Sequence, residues 1–181
     1  MTGHIAGALR LSWLIVLVST AGVTAGDEFL LSKDQAGPIR TGMEVDALYG
    51  KIDWKLTKLV DLHSEGFFVP ALEIYLSKDE TKRPALVARI GLNFVVTSIT
   101  VYDTRFKTAK GIGVGSTLGE IRKEHKIDSI GFGEGPLCAR VNEIGMTFAL
   151  DFRNVPRAWY KTGDQALIPD SAKVTSVLVV N

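Results

Sequence analysis

One cysteine, six prolines and a formal net charge of +1 are what this 181-residue chain has least of. A single cysteine, Cys138, forms no internal disulfide and supplies no paired-cysteine metal motif. With 21 Lys and Arg against 20 Asp and Glu, the chain lacks the excess of basic groups that marks nucleic-acid binders. No apolar run reaches the roughly 20 residues that a spanning helix needs. The G-x-S-x-G and H-E-x-x-H patterns of hydrolases and zinc peptidases are also missing.

What is present begins with a targeting pattern. Arg10 precedes the uncharged, mostly apolar run "LSWLIVLVSTAGV", 11–23, and Val23-Thr24-Ala25 places small residues before Gly26. This order predicts a signal peptide over 1–25, cut before Gly26. A retained membrane anchor is the rival reading, and the run is short for it. No cysteine lies near the cut to take a lipid. The expected product spans 26–181 as one compact domain, secreted or periplasmic, with no membrane anchor left after cleavage.

Inside that product three stretches answer one another in order. "IRTGMEVDALYGKI", 39–52, lies over "IGVGSTLGEIRKEHKI", 112–127, with Gly42 on Gly115, Val45 on Leu118 and Leu48 on Ile121. "SEGFFVPALEIYL" from Ser64 answers "GEGPLCARVNEIGMTFAL" from Gly133, and "VTSITVYD" from Val96 answers "VTSVLVVN" from Val174. Three weak matches in the same order predict a duplicated unit. The expectation is an α+β fold of two tandem repeats, 26–106 and 107–181, each a short helical segment packed on an antiparallel sheet.

Local signals fill in each unit. Ser32 and Gln35 have capping-box spacing for a helical turn, and Met43, Val45, Leu48 and Tyr49 share one side of a helix that Gly50 ends. "WKLTKLVDL", "FFVPALEIYL", "PALVARI" and "FVVTSITVY" read as strands, with Pro70 marking an edge or a bulge. "KIDSIGF", "LCARVNEI", "MTFALDF" and "KVTSVLVV" are their counterparts. "GIGVGSTLGE", 111–120, imitates a phosphate loop, but Gly115 stands where a Walker loop needs Lys. Thr117 and Glu120 read instead as a capping box, so a structural turn is expected.

The Gly-Met pair opening a short helix rests on Ile39, Gly42, Met43 and Leu48, with Gly115 and Ile121 in the second copy. With the sheet and repeat that follow, it resembles the β-lactamase-inhibitory-protein-like architecture. One unit is similar to the small lipoprotein of the outer-membrane β-barrel assembly machinery, and the whole chain resembles uncharacterised secreted bacterial proteins of this plan. The resemblance implies a protein that binds another protein through a concave sheet face, with no catalytic residue and no cofactor. This chain lacks the repeat disulfides of the inhibitors and the lipidated cysteine of the assembly lipoproteins.

Several constellations can be weighed on their own. In "DLHSE", Asp61, His63 and Glu65 alternate onto one strand face and could ligate a metal or move a proton, which would make the chain an enzyme of another type. A solvated strand face, with Val60 and Leu62 inward, explains the same pattern. Arg157, Trp159 and Tyr160 in "VPRAWYKTGD" are residue types enriched at binding hot spots, although Trp159 could equally complete the core. Phe67 and Phe68 must face opposite ways, one toward the helix side and one toward a helix-free side shared with Tyr75 and Trp54. Cys138 reads as a small buried hydrophobe. His125 reads as a cation at a helix C-terminus. Arg105, Lys107, Lys110, Arg122, Lys123 and Lys126 form a basic region expected to be a solvated face. These readings together predict a non-catalytic protein-binding module whose partner lies in the envelope or outside the cell.

Overall fold

The computed structural model describes residues 28–64, 66–79, 83–132, 135–153 and 155–180, so the expected signal segment and Glu65 lie outside the described residues. Strands β1 (Leu30–Ser32), β2 (Gln35–Ala36) and β3 (Ile39–Arg40) open the chain. Four longer strands follow: β4 (Thr57–Ser64), β5 (Phe67–Ile74), β6 (Leu86–Ile90) and β7 (Val96–Val101). Next come β8 (Lys107–Thr108) and helix α1 (Leu118–Glu124). The chain ends with β9 (Ser129–Phe132), β10 (Leu137–Val141), β11 (Met146–Leu150), helix α2 (Trp159–Thr162) and β12 (Val174–Val180). This is an α+β fold rich in antiparallel sheet and poor in helix. None of the described helices is long and apolar enough to cross a membrane.

The large sheet has the order β4-β5-β6-β7-β12-β11-β10-β9, and every pair in it is antiparallel. Each run of four consecutive strands is a meander, and their last strands, β7 and β12, pair at the centre. A small sheet, β3-β2-β1-β8, joins the N-terminal strands to the segment before α1 through the parallel pair β1–β8. Valine and isoleucine dominate the central strands because their branched side chains pack well on a pleated surface.

Period two sorts the side chains. Leu86, Ala88 and Ile90 of β6, Ile99 and Val101 of β7, and Val177 and Val179 of β12 turn to one face. There they form a single core with Leu48, with Leu118 and Ile121 of α1, and with Leu31 and Ile39 of the small sheet. Each fully buried Leu or Ile contributes about 1.5–3 kcal/mol by leaving water. Among the described residues the other face carries no helix.

The two Gly turns make matching bonds to the sheet. Gly42 N donates to Val96 O at 2.7 Å, Val96 N to Met43 O at 2.8 Å, and Val45 N to Phe94 O at 2.9 Å. In the second meander Gly115 N donates to Val174 O at 2.9 Å, Val174 N to Ser116 O at 2.7 Å, and Leu118 N to Ala172 O at 2.8 Å. Gly42 and Gly115 hold φ of 79° and 87°, a left-handed conformation that costs glycine little.

Three local expectations change. Ser32 and Gln35 do not cap a helix but face each other across a two-residue hairpin turn, in which Asp34 takes a φ of 65°. An i, i+3 spacing serves both motifs, and the strand partners Leu31 and Ala36 decide between them. The helix expected from Met43 shrinks to a 3-10 turn, Val45–Leu48, whose entry is tied to the sheet by the Val45–Phe94 bond. Trp54–Leu56 is also a 3-10 turn, because the Asp53 carboxylate accepts from Lys55 N at 2.9 Å and delays the strand to Thr57. The capping box at α1 is present: Thr117 Oγ1 accepts from Glu120 N at 3.2 Å, and Glu120 Oε2 accepts from Thr117 N at 2.7 Å.

Candidate functional site

The middle of the glycine loop packs against its own chain. A Cβ on Gly113 would sit 2.2 Å from the carbonyl oxygen of Phe106, so close packing requires glycine there. Gly113 N donates to Ser116 Oγ at 3.2 Å, and the Lys107 ammonium donates to Val114 O at 2.7 Å. Partial burial pushes the Lys107 pKa down, against a smaller upward pull from Glu120. At the start of α1, Leu118 N, Gly119 N and Glu120 N donate to Ala172 O, Asp170 O and Thr117 Oγ1. No donor of that first turn is left to hold a phosphate.

The basic region is a largely exposed face, and three more of its cations bond to their own chain. Arg105 is held by Asp103 with bonds of 3.0 Å, Lys110 Nζ donates to Glu124 O at 2.5 Å, and Arg122 pairs with Asp170. The Arg105 side chain, donating to Asp103, holds that carboxyl below its usual range against the opposing effect of burial.

Asp61 and His63 lie on β4 opposite Pro70 and Phe68 of β5. They turn to the same face as Leu59 and Leu72, the core-bearing side, whereas Val60 and Leu62 turn to the helix-free side. The expected orientation is therefore reversed. β4 and β5 outrun β6, whose last pairing with β5 is Ala71 with Arg89, so no described strand continues the sheet at this end and Asp61 and His63 remain exposed. Pro70 lies just beyond that last pair, where its missing N–H breaks no bond to β6. His63 meets the Phe68 ring edge-on at 5.5 Å. Among the described residues no group of three His, Cys, Asp or Glu side chains is arranged to hold a metal ion.

The aromatic candidates separate into core and surface. Trp159 is buried, with Phe132 at 5.3 Å and Tyr160 at 5.3 Å, so it completes the core of the second meander. Tyr160 and Arg157 stay exposed. Phe67 and Phe68 are 74% and 72% exposed at the tip of the β4–β5 hairpin, so neither ring covers the helix side. Tyr75 is half-buried and its hydroxyl donates to Glu73 at 2.8 Å. Trp54 stacks on Tyr49 at 4.8 Å. Sequence reasoning missed Leu59, Leu92 and Phe94, which are also exposed in the first meander; Phe94, with a φ of 54°, projects from the β6–β7 turn.

The helix-free side of the large sheet is hollow. A depression of about 640 Å³ crosses strands from β6 to β9, and its lining includes Arg89, Ser98, Thr100, Cys138, Arg140 and Thr147. Arg140 stands opposite Thr147, Thr147 opposite Leu178, and Leu178 opposite Thr100. Arg89 stands opposite Ser98. The signal for these arginines lay in "LVARI" and "LCARV": a charge inside an apolar strand must turn to the face opposite Leu, Ala and Ile or Val. Cys138 is half-buried on this side rather than in the core.

His125 also differs from its expected role. It is buried below α1, with Nδ1 2.6 Å from Glu143 Oε1 and Nε2 without a partner among the described residues. It therefore ties α1 to the β10–β11 connection instead of capping a dipole in solvent.

No family model matches the chain, and no curated protein matches it significantly. Among solved structures it is similar to the crystal structure of the uncharacterized protein yfeY from Escherichia coli, at a TM-score of 0.59 and 13% identity. The match covers 84% of this chain and 99% of that one. At this identity the likeness concerns the fold alone.

Proposed function

We propose that this chain is a non-catalytic protein-binding module of the envelope or the extracellular space, built from two copies of one helix-on-meander unit. The duplication is supported by the recurrence of the Gly42 and Gly115 bonding sets at the positions the sequence repeat pairs. An isolated bridge recurs as well, Glu44 with Val95 and Thr117 with Lys173. Both meanders break register near the start of their last strand, at Arg89/Ile90 and at Ala149/Leu150.

One difference between the halves carries the functional reading. In the second meander the long connection between β11 and β12 folds back, and Trp159 and Ile168 cover the sheet end. In the first, the β6–β7 connection is short, and Leu92 and Phe94 in it are exposed at the same end of the meander as Phe67 and Phe68, with Leu59 exposed further along the edge strand β4. Exposed apolar surface gathered in one region marks an interaction site more often than scattered apolar residues do. Aromatic anchors of this kind supply most of the energy of an interface.

Site-specific photo-crosslinking in the native envelope tests this. A photoreactive residue at Phe68 or Phe94 is expected to give one discrete adduct, absent with the same residue at Lys173, and Phe68→Asp with Phe94→Asp is expected to abolish it. The captured chain is expected to begin at Gly26. No adduct at either aromatic position, or the same adduct at Lys173, would remove the basis for the reading.

A further inference from the structure

The hollow differs in chemistry from the apolar end of the first meander. Among the described residues two guanidinium groups line it and no carboxylate does. Arg40, Arg105, Arg122 and Arg153 each bond a neighbouring acceptor. Arg89 and Arg140 have no hydrogen-bond or ion-pair partner among the described residues, and neither do the hydroxyls of Ser98, Thr100, Thr147 and Ser176. The carboxylate of Glu73, on β5, accepts from Tyr75 and lies outside the lining. Positive charge and free hydroxyls thus collect on one side of a chain whose net charge is only +1.

From this charge complementarity we infer that the hollow receives an acidic peptide segment, extended across the strands, with carboxylates on Arg89 and Arg140. Guanidinium forks pair with carboxylates through two parallel bonds. Arg89 on β6 and Arg140 on β10 are four strand spacings apart, roughly 19 Å at about 4.8 Å each. An extended peptide crosses that span in about six residues. The free hydroxyls between them match the backbone amides and carbonyls of such a strand.

A peptide fits better than an acidic glycan or a nucleic acid, both of which favour aromatic platforms. Of the two lining rings, Tyr102 lies under Arg83 at 3.5 Å, and Phe132, on the edge strand β9 and 47% exposed, stacks on Tyr160. This site uses none of the residues of the apolar docking end, so the two readings stand or fall separately.

Fluorescence anisotropy with a labelled octaglutamate tests the inference on the whole secreted chain, with octalysine and carboxymethyl dextran as competitors. Octaglutamate is expected to bind, to weaken as salt rises, and to lose at least tenfold in affinity in Arg89→Gln/Arg140→Gln, with Arg157→Gln unchanged. Both arginines are surface groups, so the double variant is expected to keep its thermal midpoint. Cys138 supplies a second readout: octaglutamate is expected to slow its reaction with a bulky disulfide reagent in the parent chain and not in the double variant. Undetectable octaglutamate binding at millimolar concentration, or binding unchanged by the double substitution, would overturn the inference. Preferential displacement by carboxymethyl dextran would overturn it in favour of a glycan.

Discussion

At Asp151 the carboxylate accepts from the side chain of Arg153, Nε at 2.9 Å, and from its backbone N–H at 3.1 Å. Those bonds, the side-chain one first, hold its pKa at about 2. A carboxyl lowered in the folded state stabilises it above the unfolded value, near 4, and that contribution fades as pH falls toward 2. Asp103 shifts in the same direction for the same reason. A carbon-13 NMR titration should place the Asp151 midpoint near 2 and move it toward the ordinary range in Arg153→Gln; an unmoved midpoint would count against this geometry. Ionisation of these residues was not legible as function in the sequence, since an Asp-x-Arg pair at a strand exit makes its own local clasp.

Among the elements, the β11–β12 connection carries most of what sequence alone left open. "VPRAWYKTGD" showed aromatic and basic residue types without a period, which fits a hot spot and a core plug equally well. Packing separates them: Trp159 reaches Phe132 while Tyr160 stays at the surface. Trp159→Ala should destabilise the fold by about 3–5 kcal/mol in urea denaturation, as truncation of a buried large aromatic does. Tyr160→Ala, Phe67→Ser and Phe68→Ser should each cost under about 1 kcal/mol. A small cost at Trp159 would mean that the segment does not seal the second meander. The α1 capping box was legible because both of its bonds are local. The Ser32–Gln35 hairpin was not, because its outcome depends on the pairing of Leu31 with Ala36.

The whole molecule is held together across the two halves at two places. β7 pairs with β12 over Val101–Val177, Thr100–Leu178, Ile99–Val179 and Ser98–Val180, and β1 of the first half lies parallel to β8. One core contains residues of both halves, including Ile99, Leu118 and Val179. Unfolding in urea should therefore be a single transition, with far-UV circular dichroism and tryptophan fluorescence coincident, since Trp54 and Trp159 report on opposite halves. Two separated transitions would show that each meander is a stable unit in itself.

Composition, period and turn residues determined by themselves that the chain builds antiparallel strands with few helices, and that Gly42 and Gly115 open equivalent turns. They also determined that "GIGVGSTLGE" is a turn, because the missing Lys and the Thr117–Glu120 spacing are local facts. Only tertiary structure decided which strand face is bare. Alternation tells that Asp61 and Val60, or Arg89 and Ala88, point apart, but which side the core takes depends on the helix and small sheet that cover one face. Asp61 and His63 share the core side yet stay in water because β6 ends before reaching them, and Arg89 and Arg140 meet one hollow because β7, β12 and β11 lie between their strands. Strand length and strand order are relations between distant segments, and no single stretch of sequence contains them.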